Sequence, residues 1–167
     1  MRENWDSYFM GIAERVATRS TCPRAHVGAV IVKDRHIIST GYNGAPHGLP
    51  HCTDEGCITN AEGRCVRTVH AEVNAILHAR EDVRGSIVYC THHPCEACLN
   101  VLIQAGVARV IYKQSYKSPT LDKIPRGGVL IYQVDNPPKL TYHKDFGLFV
   151  EGIHIKDLAE REGMDDE

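Results

Sequence analysis

The chain has 167 residues, a length that suits one domain with a single hydrophobic core. Its hydrophobic fraction is 43%, its charged fraction is 24% and its formal net charge is -2, so the excess of positive charge typical of nucleic-acid-binding proteins is absent. No apolar run reaches the roughly 18 residues of a transmembrane helix, and we expect neither a membrane nor a nucleic acid as partner.

The N-terminal part predicts a helix followed by a β-hairpin. Apolar residues recur at helical spacing over residues 5–18. Two runs rich in β-branched residues, 27–33 and 36–40, predict strands joined by a tight turn at Asp34 and Arg35. The first residues lack the apolar stretch of a signal peptide, so we expect a cytoplasmic protein whose seven cysteines stay reduced.

Residues 41–67 form a segment without sustained periodicity that is rich in Gly, Pro, His and Cys. A structureless connection of this length is uncommon in a compact domain and is usually functional or held in place by a ligand. Three of the seven cysteines lie in this segment. Clustered cysteines in a reducing compartment are interpreted first as metal ligands.

From residue 70 onward, predicted helices and strands alternate. The elements are a helix at 70–79, a strand at 86–91, a helix at 95–104 ended by Gly106, a strand at 108–112, a short helical segment at 121–125 and a strand at 128–133. This alternation favours parallel strands with helices on both faces of the sheet. We predict one domain over residues 1–155 and an acidic, partly disordered tail over 156–167.

The strongest chemical signal is His70-x-Glu72 followed by Pro94-Cys95-x-x-Cys98. One imidazole and two thiolates leave the fourth tetrahedral position of zinc for water, which is typical of a catalytic zinc. Cys95 and Cys98 lie one helical turn apart at a helix start, where the helix dipole favours thiolates. Because His70 opens another helix, we expect two helix N-termini to converge on one metal ion.

Alone, the His-x-Glu half could be a solvated helix start, and the Pro-Cys-x-x-Cys half could be a structural zinc site or a redox pair. Together, the two halves are typical of zinc deaminases. Zinc lowers the pKa of its bound water toward neutrality. Glu72 can reach the same water without binding the metal, and we predict that it is the proton shuttle. It takes a proton from water, gives it to ring N3 of a cytosine and later protonates the departing amine.

Several segments resemble the cytidine and deoxycytidylate deaminase superfamily, and within it the dCMP deaminases. They are residues 27–31, 39–46, 49–54, 67–76 and 94–98. The likeness extends from about residue 4 to about residue 135, and His93 departs from it because relatives often have Ser before the Pro. The resemblance implies a cytidine deaminase-like α/β fold, a three-layer α/β/α sandwich around a five-stranded mixed sheet of order 2-1-3-4-5.

The resemblance also implies a reaction and its substrate residues. The reaction is hydrolytic deamination of dCMP to dUMP and ammonia, which supplies dUMP for dTMP synthesis. Asn43 is placed beside the substrate sugar or base, a role that suits an amide with donors and an acceptor. Arg24 and Tyr116 match phosphate and base neighbours, and Ala71 matches a further substrate contact.

Regulation is a further implication of the resemblance. Enzymes of the dCMP deaminase branch are typically homo-oligomers, often hexamers, that dCTP with Mg²⁺ activates and dTTP inhibits. They bind this effector in the segment that corresponds to Gly41, Tyr42 and Gly44. We therefore expect a dCTP activator and a dTTP inhibitor as possible partners of this chain.

Four cysteines remain once the catalytic pair and Cys90, a predicted core residue, are set aside: Cys22, Cys52, Cys57 and Cys65. Four thiols suggest a closed structural zinc, and we hypothesise that such a metal holds the long loop over the active site. The alternative is that these cysteines pack as small apolar side chains.

Some dCMP deaminases carry a second zinc in this region, built from Cys and His. By resemblance, Cys22 and Cys52 match two of its ligands. For the other two positions, His51, His92 and His93 compete with Cys57 and Cys65.

Three other functions compete with dCMP deamination. A tRNA adenosine deaminase shares the metal core, but its polyanionic substrate favours a basic protein. The deaminase half of a riboflavin-pathway enzyme normally continues into a reductase domain, which we do not expect in this protein. A metal-stabilised binding module without catalysis would have no need of Glu72.

Overall fold

The computed structural model describes residues 1–143, 147–150 and 153–154. Its helices are α1 (Trp5–Ala17), α2 (Cys52–Glu55), α3 (Ala71–His78) and α4 (Glu96–Ala105), and a single 3₁₀ turn spans Leu121–Lys123. Its strands are β1 (Gly28–Lys33), β2 (His36–Tyr42), β3 (Ile87–His92), β4 (Arg109–Gln114), β5 (Leu130–Gln133), β6 (Leu140–His143), β7 (Gly147–Val150) and β8 (Ile153–His154). Within these residues, no helix has the length and apolar character needed to cross a lipid bilayer.

The central sheet has five strands in the order β2-β1-β3-β4-β5, which confirms the expected topology. β1 is antiparallel to both β2 and β3, whereas β3, β4 and β5 are parallel to one another. Asp34 and Arg35 join β1 to β2 with φ angles of 49° and 61°. Two successive residues with positive φ give the type I′ turn that matches the twist of a hairpin.

Helices cover both faces of this sheet, because successive residues of a strand point to opposite sides. Val30 and Val32 of β1 belong to a core with Phe9 of α1. Ile31 belongs to the second core, which includes Leu99 of α4. The expected three-layer α/β/α arrangement is therefore confirmed.

Two glycines allow helices to lie directly on the strands. A Cβ atom at Gly41 would collide with the carbonyl oxygen of Ala71 and the amide nitrogen of Ala75. A Cβ at Gly28 would collide in the same way with the carbonyl oxygen of Ala13 in α1. Because α3 rests on β2 at Gly41, the start of α3 is held at the C-terminal end of the hairpin.

The predicted elements are confirmed, with boundaries that differ by no more than two residues. The segment 41–67 is less irregular than expected, because it contains α2, where the backbone N–H of His51 donates to Asp54 Oδ2 at 3.0 Å. The sheet β6-β7-β8 was not predicted, since its strands have four residues at most and give little periodic signal. The predicted tail and the domain boundary at residue 155 lie outside the described residues.

Candidate active site

His70, Cys95 and Cys98 come together at the N-termini of two helices. His70 is the N-cap of α3 and Cys95 is the N-cap of α4. The Nδ1 atom of His70 lies 3.5 Å from Cys95 Sγ and 3.2 Å from Cys98 Sγ. Ligands of one tetrahedral zinc ion lie roughly 3.5 Å apart, so this donor set fits zinc without rearrangement.

The two thiols of this cluster have very different proton affinities. A hydrogen bond from the Cys98 thiol, aided by the His70 imidazole, lowers the pKa of Cys95 to about 4. The same hydrogen bond, followed by burial, raises the pKa of Cys98. The pair therefore loses its first proton readily and holds the second, and a divalent cation is the group that would stabilise both thiolates.

Glu72 lies in the first turn of α3, two residues after His70. Its side chain is only 4% exposed and lines the same cavity as the cluster. Burial raises the pKa of Glu72 above its ordinary value of 4.5. A raised pKa brings a carboxyl group closer to the pH at which it can both accept and donate a proton efficiently.

A cavity of about 220 Å³ opens beside the cluster and Glu72. Its lining includes every residue that the sequence resemblance places near a substrate, namely Arg24, Asn43, Ala71 and Tyr116. These residues come from four separate parts of the chain. The fold therefore brings the predicted substrate residues to the same place as the predicted metal ligands.

Asn43 shapes one wall of the cavity. Its side chain is 6% exposed. Its Oδ1 accepts from the backbone N–H of Val27 at 2.8 Å, and its Nδ2 donates to the carbonyl oxygen of Ala25 at 2.8 Å. These bonds fix the segment that follows Arg24, and the amide keeps one further N–H and one lone pair for a ligand.

His92 contacts the hydroxyl of its neighbour Thr91 and lines the same cavity. The backbone N–H of Gly28 donates to Thr91 Oγ1 at 3.1 Å, and His92 Nδ1 lies 3.0 Å from the same oxygen. Thr91 is buried, so its hydroxyl depends on partners within the protein. Burial lowers the pKa of His92, which favours the neutral imidazole.

Two charged residues of the cavity region, Arg64 and Glu96, were missed by the sequence interpretation. The guanidinium of Arg64 lies 5.5 Å from the ring centroid of Tyr116, and its Nη1 lies 3.8 Å from Glu96 Oε2. Glu96 Oε1 accepts hydrogen bonds from Ser118 and Thr120, which lower the pKa of Glu96 to about 2. The position of Glu96 inside the Cys-x-x-Cys motif was the one signal available for it.

A second cluster contains the four cysteines left over by the catalytic motif: Cys22, Cys52, Cys57 and Cys65. Their sulfur atoms all lie within 4.8 Å of one another. The closest pairs are Cys22 with Cys57 at 3.7 Å and Cys52 with Cys65 at 3.6 Å. Four converging thiols fit a closed, four-coordinate zinc site.

The histidines that competed for this second site have other neighbours. His51 Nδ1 lies 3.0 Å from Thr21 Oγ1. His92 and His93 line the cavity beside Glu72 instead. His93 Nδ1 lies 2.7 Å from the carbonyl oxygen of Pro94.

The thiols of the second cluster also differ in proton affinity. Burial raises the pKa of Cys52 to about 12 and also raises that of Cys57. Burial acts in the same direction on Cys65, but hydrogen bonds led by the backbone N–H of Arg67 outweigh it and lower the pKa of Cys65 to about 7. Thiols with raised pKa values need a cation to become thiolates.

The residues linked by resemblance to an effector lie at a different cavity, of about 530 Å³, which residues of β2, of α3 and of the loop after β2 line. Gly41, Tyr42 and Gly44 all line it. Tyr42 is 38% exposed, and its carbonyl oxygen accepts from Asn74 Nδ2 at 2.8 Å. Gly41 is buried against α3, so its position also has a purely structural reason.

Comparison with known proteins agrees with this geometry. The family model for the "cytidine and deoxycytidylate deaminase zinc-binding region" matches residues 3–114. The chain is 46% identical over 123 residues to deoxycytidylate deaminase of Mycobacterium phage D29, which covers 66% of this chain and 95% of that protein. It is 43% identical over 139 residues to ComE operon protein 2 of Bacillus subtilis, with 80% and 73% coverage.

Among solved structures, dCMP deaminase from the cyanophage S-TIM5 in complex with dCMP and dUMP superimposes with a TM-score of 0.68. The two chains are 32% identical, and the match covers 80% of this chain and 98% of the phage chain. Both the sequence matches and this structure lead to the same family. The chain belongs to the cytidine and deoxycytidylate deaminase family.

Proposed function

We propose that the chain hydrolyses dCMP to dUMP and ammonia and so supplies dUMP for dTMP synthesis. The observation that carries this proposal is the single cavity that joins the His70, Cys95 and Cys98 cluster to Glu72 and Arg24. Relatives support the choice of substrate, since the phage D29 relative is a deoxycytidylate deaminase and the S-TIM5 structure holds dCMP and dUMP.

In the proposed mechanism, His70, Cys95 and Cys98 would hold zinc, whose Lewis acidity would make water a nucleophile near neutral pH. Glu72 takes the proton of the attacking water and delivers it to ring N3 as the new C–O bond forms at C4. Glu72 then carries the second proton to the exocyclic nitrogen, and the C4–N bond breaks to release ammonia. Its burial keeps this proton transfer away from bulk water.

The remaining lining of the cavity suits a nucleotide. Arg24 offers a permanent cation for the 5′-phosphate. His92 offers a ring nitrogen, and Asn43 offers its spare amide hydrogen to a sugar or base oxygen. Tyr116 supplies an aromatic surface for the sugar or base.

The second cysteine cluster is proposed to hold a structural zinc that keeps the 41–67 segment against the active site. Cys22 and Cys65 line the substrate cavity as well as the cluster, so a metal there would also support the cavity wall. Clustered free thiols of this kind suit the reducing cytoplasm. Regulation by dCTP with Mg²⁺ and by dTTP near Tyr42, in a hexamer, is proposed from the resemblance alone.

The test is ammonia release by purified, zinc-loaded protein. The substrates are dCMP, CMP, deoxycytidine, dCTP and an adenosine-containing tRNA stem-loop, each with and without dCTP and Mg²⁺. Turnover of dCMP that Glu72→Gln abolishes would support the proposal. Activity confined to the stem-loop would mean a tRNA adenosine deaminase, and no activity on any cytosine compound would reject the proposed substrate class.

A further inference from the structure

Glu96 connects helix α4 to the loop that carries Tyr116. Its Oε1 accepts hydrogen bonds from the hydroxyl of Ser118 and, at 2.6 Å, from that of Thr120. The two hydroxyl oxygens lie 3.2 Å from each other. Hydrogen bonds to an ionised carboxylate are about twice as strong as neutral ones, so this one side chain can hold the loop after β4 against α4.

The second oxygen of Glu96 faces a different segment. Arg64 Nη1 lies 3.8 Å from Glu96 Oε2, and the Arg64 guanidinium lies 5.5 Å from the centre of the Tyr116 ring. Arg64 immediately precedes Cys65 of the second cysteine cluster, and Glu96 immediately follows Cys95 of the catalytic cluster. The contacts of Glu96 therefore connect the Tyr116 loop to segments next to both cysteine clusters.

Arg64, Tyr116 and Cys95 all line the substrate cavity. Arg64 keeps 49% of its side chain exposed despite its contact with Glu96, so the side chain is accessible to a ligand. Arg24 and Arg64 are the arginines that line this cavity within the described residues. A phosphate monoester, with its dianionic charge, would be matched by two such cations.

We propose that Glu96 is a positioning residue that holds Tyr116 and Arg64 at the substrate cavity, ready for the phosphate of a nucleotide. The identity of the nucleotide rests on the proposed function, but the role of Glu96 in the free protein does not. Groups that are already held in place lose less conformational entropy when a ligand binds. Loss of the Glu96 contacts is therefore expected to weaken nucleotide binding and to leave the rate of the chemical step nearly unchanged.

The experiment compares Glu96→Ala, Glu96→Gln and the double variant Ser118→Ala/Thr120→Val with wild type. Glu14→Ala is the matched control, because it removes a half-exposed carboxylate that pairs with Lys113 away from the cavity. The measurements are hydrogen exchange of the peptide over 115–121 without substrate, zinc content, and KM and kcat for dCMP and deoxycytidine.

In Glu96→Ala, amide exchange over 115–121 should become faster and KM for dCMP should rise about tenfold, with kcat changed by no more than about twofold. KM for deoxycytidine should rise less, because it lacks the phosphate that Arg64 would meet. The double variant should show the same faster exchange. Glu96→Gln keeps an acceptor oxygen but loses the charge, so its effects should be intermediate, and Glu14→Ala should match wild type.

Unchanged exchange and KM in Glu96→Ala would overturn the proposal. A lower KM in Glu96→Gln than in wild type would also overturn it, because Glu96 would then merely repel phosphate. Loss of zinc from Glu96→Ala together with a wild-type double variant would show that Glu96 acts through Cys95 instead. Failure of wild type to deaminate dCMP would reject the proposed function. The exchange experiment would still test whether Glu96 holds the loop that carries Tyr116.

Discussion

The sulfur of Cys22 lies 3.7 Å from the sulfur of Cys57, and Cys22 also lines the cavity that contains His70. One residue thus belongs both to the second cysteine cluster and to the wall of the substrate cavity. Arg24 follows Cys22 by two positions and lines the same cavity. Loss of a thiol or a metal ion from the second cluster should therefore change the binding of substrate in this cavity.

Removal of one thiol from the second cluster should release its metal. In Cys57→Ser, zinc content should fall from about two ions per chain to about one, since a closed site needs all four ligands. The melting temperature should drop by several degrees and KM should rise more than kcat falls, because the catalytic ligands are untouched. Elemental analysis, thermal unfolding and steady-state kinetics measure these effects.

Cys90→Ala is the control for that experiment, since Cys90 is buried in β3 outside both clusters. It should keep both zinc ions and lose only packing. A wild-type content of one zinc per chain would contradict the prediction directly.

Replacement of Glu72 by glutamine should remove proton transfer without disturbing the site. The amide has nearly the same shape but cannot exchange the proton, so kcat should fall between about 10²-fold and 10⁴-fold. Zinc content and the affinity for dUMP should stay close to wild type. A kcat within a few-fold of wild type would show that another group moves the proton.

Acid should destabilise the protein in part through His92. Burial lowers the pKa of His92 below its ordinary value of 6.5, so the unfolded chain takes up a proton there that the folded protein resists. This contribution to stability is fully present above about pH 6.5 and is lost progressively as the pH falls below that value.

In His92→Gln, the fall in the free energy of unfolding between about pH 7.5 and about pH 5.5 should be smaller than in wild type. Urea unfolding at each pH, on zinc-loaded protein, gives the comparison. An identical fall in both proteins would mean that His92 is not held neutral.

Gly41 should prove intolerant of a side chain for structural reasons. Gly41→Ala forces a Cβ atom into the backbone of α3 at Ala71 and Ala75, and the cost of such overpacking is typically about 1–3 kcal/mol. Gly11→Ala in α1 is the matched control, because no atom lies within 4 Å of its added Cβ. It should gain roughly 0.5–1 kcal/mol from better helix propensity.

Denaturant unfolding of both glycine variants measures these opposite changes. If Gly41→Ala is as stable as wild type but no longer responds to dCTP, the glycine serves the effector rather than the packing of α3.

Much of the catalytic cluster could be predicted from the sequence because its spacing is local. Cys95 and Cys98 are one helical turn apart, and His70 begins a helix whose periodicity is clear. The same holds for the β1–β2 hairpin, where the run of β-branched residues breaks at Asp34 and Arg35. Short-range geometry of this kind depends on neighbouring residues and can be predicted from them.

Contacts between distant segments were beyond such reasoning. Nothing near Glu96 in the sequence indicates Ser118 or Arg64, which are 22 and 32 positions away. The strands of the β6-β7-β8 sheet are too short for a period-two pattern to stand out. The resemblance singled out Gly41 as a possible effector residue, but it gave no sign of the contact between Gly41 and α3.

The sequence by itself therefore determined the order of α1, α3, α4 and the five strands of the central sheet, the donor set of the catalytic cluster and the family, because these depend on residue type and on spacing of a few positions. Only the tertiary structure decided that all four remaining cysteines converge and that His92 and His93 turn to the cavity instead. The physical reason is that side chains from distant segments meet only once the sheet and its covering helices have been packed.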